Sequence, residues 1–173
     1  HFGKLAARYH AEYRFFSRGD TTAKDFVLPP DHLTHRLGVD GKYTRNGYQA
    51  RLGGDLHRRS TWEPWGLPGN AEYDPQAKDY TTWRGSLSKT WHLQGFRKLG
   101  VEVAYLGGAD LDRFSKYGFG YFGDTRVHGF QSDRVRAAEA WLAHATYGLD
   151  VGEVLRIDAL LDTAWATDKI SGF

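Results

Sequence analysis

Eight histidines are the residues of this 173-residue chain that could most readily hold a metal ion. They are scattered along the sequence, and no two show the His-x-x-x-His spacing that brings two ligands to one face of a helix. Those considered as ligands are His10, His35, His57, His92, His128 and His144. The chain has no cysteine, which excludes disulfides and Cys-based metal or redox sites. We therefore predict no metal site and no cofactor.

A nucleophilic site would need a serine beside a histidine. Ser86, Ser88 and His92 share one face of a predicted strand, but no carboxylate or oxyanion arrangement accompanies them. The glycine-rich stretch from Gly118 to Gly123 lacks the Lys-Ser/Thr pair and the following helix of a phosphate-binding loop. The sequence therefore favours a protein that is not an enzyme; the alternative is an outer-membrane lipase or the membrane anchor of one.

The amino-acid composition further restricts the class of protein. The net charge is +2 with both signs mixed throughout, which predicts no nucleic-acid partner. Mean hydropathy is −0.59, and no run approaches the roughly 20 apolar residues of a membrane helix. Aromatic residues make up 15% of the chain, and glycine occurs 21 times. Strands of a membrane barrel alternate lipid-facing and lumen-facing residues, so a low average hydropathy does not exclude them.

The dominant pattern has a period of two, which predicts strands. In the first strand Ala7, Tyr9 and Ala11 alternate with Arg8 and His10. Seven such segments follow one another, each about 10 to 15 residues long, which suits a tilted membrane strand. They begin near Ala7, Leu33, Tyr48, Thr82, Lys98, Arg134 and Leu155. The charges on their polar faces predict a hydrated, salt-bridged lumen; they include Arg36, Asp40, Arg51, Asp55, Glu102 and Arg156.

The predicted connections alternate between long and short. The long ones are Gly19–Asp31, Pro64–Asp79 and Gly107–Asp133, and the tight ones are Asn46-Gly47, Gln94-Gly95 and Gly148–Asp150. Bacterial membrane barrels have this asymmetry of outer loops and periplasmic turns. We predict an all-β, antiparallel, up-and-down transmembrane β-barrel in the outer membrane of a Gram-negative bacterium. A soluble β-sandwich or lipocalin-like barrel is the alternative.

Seven strands cannot close a barrel in lipid, where no strand edge is left unpaired. Residues 1–173 are therefore expected to be a fragment of one barrel domain, with further strands before His1, after Phe173, or both.

The long loop at residues 107–133 contains Val127-His128-Gly129-Phe130. These residues resemble the Val-Arg-Gly-Phe/Tyr signature of the bacterial surface-antigen superfamily, which includes outer-membrane assembly factors and two-partner secretion transporters. Downstream, the run from Leu160 to Trp165 is similar to an Asp-bearing strand of that family. The resemblance covers about residues 99 to 166. His128 stands where the family has Arg, and Thr163-Ala164 stands for Ala-Gly.

The resemblance implies assembly or insertion of outer-membrane proteins, or polypeptide export. The implied partners are outer-membrane lipid, client outer-membrane or secreted polypeptides, and periplasmic accessory proteins. A passive porin-like channel is the main alternative. In a porin-like channel the long loop would constrict the pore without such an anchor, whereas the resemblance implies that the loop is fixed by an anchor in the lumen.

In that anchor, a cation at the loop tip would pair with a carboxylate on the wall. The cation would be His128 or Arg126, Gly129 would allow tight packing, and Phe130 would wedge into the lumen. The candidate partners on the wall are Asp162, Asp158 and Glu139.

Overall fold

The structure, a computed structural model, describes residues 2–20, 22–69, 78–120, 127, 135–151 and 155–168. Nine β-strands occur in these ranges. They are β1 (Phe2–Arg14), β2 (His32–Arg45), β3 (Tyr48–Arg59), β4 (Asp79–Leu93), β5 (Arg97–Ala109), β6 (Tyr117–Gly118), β7 (Arg136–Ala137), β8 (Glu139–Val151) and β9 (Leu155–Thr167). Within the same ranges, no helix is long and apolar enough to cross a membrane.

Seven of these strands form one sheet in the order β1-β2-β3-β4-β5-β8-β9, and every neighbouring pair is antiparallel. Strands β6 and β7 pair with each other inside the long connection between β5 and β8. The prediction of an all-β, antiparallel, up-and-down order is confirmed. Among the described residues no ladder joins β1 to β9, so these two strands are the edges of the sheet.

Two of the predicted tight turns are confirmed. Asn46 and Gly47 have φ of 48° and 76°, the positive pair that a type I′ turn requires. The second turn runs from Gln94 to Phe96, with φ of 74° at Gly95 and 58° at Phe96. In this up-and-down order the tight turns lie at one end of the sheet, which we call the turn end. The long connections lie at the other, the loop end.

The third turn prediction, Gly148–Asp150, is wrong. Strand β8 continues to Val151, which pairs with Leu155, and it begins at Glu139 rather than near Arg134. Gly148 serves a close cross-strand approach: a Cβ there would lie 2.5 Å from Asp158 Oδ1 and 2.8 Å from an Arg156 nitrogen. The glycine therefore makes room for two charged side chains and does not mark a chain reversal.

The two sides of the sheet differ sharply. We call the side that carries Arg8, Asp40 and Asp55 the polar face, and the opposite side the apolar face. The apolar face is exposed to a degree unusual for aliphatic and aromatic residues: Leu52 and Leu161 are each 71% exposed and Trp165 is 74% exposed. A soluble sandwich would bury such a face. In the described part of the chain nothing covers it.

The buried core lies on the polar face, near the loop end. One cluster contains Leu106, Phe119, Ala137, Ala140 and Leu142. A second contains Tyr80, Leu111 and Ala138. Both join strand residues to the connection between β5 and β8. The core is therefore made where a loop lies against the sheet.

The turn at Gly47 gives a direct test of this geometry. Gly47→Val is expected to lower the free energy of unfolding by about 1–3 kcal/mol, because a side chain there is forced to positive φ. Its Cβ would also lie 2.7 Å from the carbonyl oxygen of Thr90. A urea titration of the purified chain measures the change. Gly3→Val is the control, since no atom lies within 4 Å of a Cβ at that position. Equal losses in the two variants would contradict the turn assignment.

Candidate functional site

Five charged side chains form an alternating series across the polar face, which we call the charged ladder. Arg8 donates hydrogen bonds to both Asp40 and Asp55, the latter at 2.8 Å. Arg36 also donates to Asp55 at 2.8 Å, and Arg84 donates to Asp40 at 2.8 Å. The order of contact is Arg36, Asp55, Arg8, Asp40, Arg84. The ladder links β1 to β4 by ion pairs in addition to the backbone hydrogen bonds.

Glycines make the charged ladder possible. Asp55 pairs with Gly38 in the β2–β3 register, and Asp40 pairs with Gly53. A Cβ at Gly38 would collide with the Asp55 carboxylate, and one at Gly53 would lie 2.5 Å from Asp40 Oδ1. The Asp55 residue is only 5% exposed. A buried carboxylate is tolerated only where cations and hydrogen bonds compensate its lost hydration, and the two arginines supply that compensation.

At the loop end, the long connections meet in a second feature, the loop cap. It comprises residues 15–31, 60–69 and 110–120. Trp65 is 1% exposed, and its ring centroid lies 4.6 Å from that of Phe114. Phe114 in turn contacts Phe16 edge-on, with centroids 5.1 Å apart. Val27 and Gly66 exchange backbone hydrogen bonds of 2.9 and 2.8 Å. The three connections therefore pack on one another.

A buried ion pair ties the loop cap to the sheet. Arg59, the last residue of β3, donates to Asp112 at 2.8 Å, and the two side chains are 1% and 2% exposed. The guanidinium also lies 3.7 Å from the ring centroid of Trp62. Asp112 Oδ1 accepts hydrogen bonds from the backbone N–H groups of Phe114 and Ser115, both at 2.9 Å. One carboxylate thus shapes the turn and fixes it to β3.

A second ion pair fixes the loop cap near β9, at the edge of the sheet. Lys116 Nζ donates to Asp168 at 2.6 Å, and the lysine side chain is 2% exposed. Asp168 directly follows β9. The connection after β5 is therefore held both to β3 and to the end of β9.

The predicted signature loop falls largely outside the described residues. Arg126, His128, Gly129 and Phe130 are not described. Val127 is half-buried and packs against the cluster on the polar face. That cluster combines Leu106 of β5 and Ala140 and Leu142 of β8 with Phe119 and Ala137 of the connection itself.

The predicted wall partners are placed apart from one another. Asp162 shares a 2.8 Å hydrogen bond with His144 Nδ1, and its side chain is 3% exposed. Asp158 accepts from Arg156 of its own strand at 3.0 Å, near the turn end. Four strand positions separate the two carboxylates by about 13 Å. Glu139 opens β8 in unbroken register with Trp141, and therefore lies on the apolar face. No bulge shifts Glu139 to the polar face.

The enzymatic and metal alternatives can be checked against the same geometry. Ser86, Ser88 and His92 all lie on the polar face of β4. Even Ser88 and His92 are four strand positions apart, about 13 Å, which is too far for a hydrogen bond. Within the described ranges, no group of three or more His, Asp or Glu residues is placed to hold a metal ion.

Sequence reasoning found part of this site. It placed Arg36, Asp40 and Asp55 in a salt-bridged face, and the structure brings them together. It missed the pair formed by Arg59 and Asp112. The spacing of Asp112 and Ser115 is typical of a turn in which an Asp side chain binds the following backbone, and this was the available signal.

We compared the chain with protein-family models, with curated proteins and with solved structures, and none of these comparisons gave a match. Function is therefore inferred from the geometry of the sheet and the loop cap.

The buried ion pair generates a test. Arg59→Met is expected to lower the free energy of unfolding by about 3–5 kcal/mol, because it leaves the buried Asp112 carboxylate without its cation. Arg58→Met is the matched control, since Arg58 meets Asp79 at 3.8 Å on an exposed surface. Such surface pairs contribute about 0–1 kcal/mol. Urea unfolding compares the two variants. A loss below 1 kcal/mol for Arg59→Met would show that the pair does not hold the loop cap.

Proposed function

We propose that this chain forms part of the wall of a transmembrane β-barrel in the outer membrane of a Gram-negative bacterium. The observation that carries the proposal is the pairing of an exposed apolar face with a charged polar face along strands of 12 to 15 residues. A tilted strand needs about 9–11 residues to cross a bilayer. Lipid would cover the apolar face, and water would fill the space along the polar face.

Aromatic residues on the apolar face support this orientation. Near the turn end lie Tyr48, Trp91 and Tyr147, and toward the loop end lie Trp83 and Trp141. Trp83 and Trp91 are eight positions apart on β4, about 26 Å along the strand, which at a tilt of about 35–45° spans roughly 18–22 Å of membrane depth. The apolar band of outer-membrane barrels is about 25 Å tall and has an aromatic girdle at each interface. Aliphatic residues such as Leu87 occupy the interval.

The edges require partners in this setting. Backbone groups at an open edge cannot be left unpaired in hydrocarbon, because each costs several kcal/mol. We therefore propose that β1 and β9 pair with further strands of a larger barrel. The seven strands described are then one part of a closed wall.

The function that the geometry supports best is a water-filled conduit partly covered by its long loops. The charged ladder gives a hydrated wall, and the loop cap lies over that wall at one end. Asp162 and His144 share a hydrogen bond on the same polar wall. The hydrated wall and its partial cover favour a passive porin-like channel. Conductance of the purified protein in a planar bilayer tests it.

Assembly or insertion of outer-membrane proteins, or polypeptide export, is the function implied by the resemblance to the surface-antigen superfamily. The observation that favours it is the packing of Val127 against the buried cluster on the polar face. Under this proposal the partners are client outer-membrane or secreted polypeptides and periplasmic accessory proteins. The loop at residues 107–133 would then be fixed inside the barrel for its function.

Adjacent residues of β4 test the membrane orientation. Leu87→Arg is expected to lower the free energy of unfolding from lipid by about 2–4 kcal/mol, because it places a cation at mid-depth on the lipid-facing side. Ser86→Arg points into the polar face and is expected to cost less. Urea unfolding from lipid vesicles measures both. Equal costs for the two variants would contradict the assignment of faces.

A variant of Asp162 separates the two candidate functions. If the inward loop serves assembly or export, Asp162→Ala is expected to lower the yield of inserted or exported client more than it lowers barrel stability. Asp150→Ala is the control, since that carboxylate is exposed near the turn end and meets Arg156 at 3.6 Å. For a passive channel, client yield stays unchanged in both variants. Comparison of client yield with thermal unfolding distinguishes these results.

A further inference from the structure

Three cations lie side by side on the polar face, at matched positions of three neighbouring strands. Lys4 of β1 is opposite Lys42 of β2, and Lys42 is opposite Arg51 of β3. We call these three residues the cationic row. The same line of the sheet continues through Ser86 of β4 and Ala104 of β5. No carboxylate occurs in this line within the described strands.

This arrangement is unfavourable for the fold by itself. Like charges directly opposite each other on neighbouring strands destabilise a sheet. In the neighbouring charged ladder, the arginines pair with Asp40 and Asp55, so that opposite charges face each other. Lys42 and Arg51 are exposed, and no ion pair links either of them to another described residue. Lys42 and Arg51 are therefore available to a ligand in a way that the ladder arginines are not.

The surroundings add to the positive potential. The polar face of β1 to β4 carries eight Lys and Arg residues against three acidic residues. These are Lys4, Arg8, Arg14, Arg36, Lys42, Arg51, Arg59 and Arg84 against Glu12, Asp40 and Asp55. Asp112 offsets Arg59, and the excess remains. Charges of one sign along a low-dielectric wall raise the local concentration of oppositely charged solutes.

The cationic row also borders an open space. A groove of about 740 Å³ lies along the polar face and is lined by Lys4, Lys42, Arg51, Arg84 and Ser86. Its size admits a hydrated small anion. Arg presents a planar set of donors that fits a phosphate or carboxylate, and Lys adds a mobile charge. Ser86 supplies a neutral hydroxyl donor beside them.

We propose that the cationic row is an anion-recognition site, and that it makes the conduit select small anions bearing phosphate or carboxylate groups over cations. The inference rests on the proposed function, since it assigns a selectivity to that conduit. Rings or rows of Arg and Lys are what anion and phosphate pores use, because solvated cations attract the passing ion without binding it irreversibly. Two acidic residues also line the groove: Asp40, which is paired with Arg8 and Arg84, and Glu102 of β5.

The test is the reversal potential of the purified complete barrel that contains this chain, in a planar bilayer across a KCl gradient. We expect a reversal potential whose sign indicates a preference for chloride over potassium. We also expect inorganic phosphate to reduce the chloride current. The double variant Lys42→Gln with Arg51→Gln should weaken the anion preference and abolish the effect of phosphate. Lys42→Glu with Arg51→Glu should reverse the sign. Arg58→Gln removes a cation from the apolar side of β3 and should leave the potential unchanged.

Thermal unfolding accompanies these measurements. The double Gln variant is expected to be as stable as the parent chain or more so, because two opposed like charges are gone. A loss of selectivity with retained stability therefore supports the proposal. Conductance with a cation preference, or a preference that the double variant leaves intact, overturns the anion site and leaves the conduit standing. An absence of conductance from correctly folded protein overturns both.

Discussion

The ion pairs across the polar face are the interaction on which the rest of this structure depends. Asp55 is almost fully buried, and without Arg8 and Arg36 its charge would strongly oppose folding. Because these side chains belong to three different strands, their pairing fixes the strand register as well as compensating the charge. If one of these strands shifted by one residue, its charged side chains on the polar face would move to the apolar face. The glycines opposite Asp40 and Asp55 are part of the same constraint.

A sheet stabilised in this way inverts the usual arrangement of a soluble protein. Its charged face carries the buried core, and its aliphatic face is exposed. This inversion explains the loop cap, since the aromatic side chains of the long connections pack on the polar face of the sheet. The pair of Arg59 and Asp112 then holds the cap in a place where apolar contacts alone would leave its orientation free. The lipid-facing orientation and the water-filled conduit that we propose explain both halves of the inversion together.

The polar face carries two kinds of charge. In the charged ladder, acid and base alternate, and the charges hold the strands together. In the cationic row, like charges are opposed, and no ion pair with another described residue offsets those of Lys42 and Arg51. Neighbouring lines of one sheet thus differ in what their charges do, and this difference is the basis for assigning recognition to Lys42 and Arg51. The charged ladder holds the strands of the wall together, and we propose that the cationic row recognises anions.

The sequence by itself determined the strands, their alternation and two of the turns, because period-two patterning and the Asn46-Gly47 pair act locally. It also placed Arg36, Asp40 and Asp55 on one face. Only the tertiary structure decided which charges meet. Gly148 resembles a turn residue in sequence, but it lies inside β8, opposite Asp158 of β9. The Asp158 side chain occupies the space that a Cβ at Gly148 would fill. Likewise, Arg59 and Asp112 are 53 positions apart, and no local pattern links them. Their contact depends on how the loops fold over the sheet, which sequence periodicity does not encode.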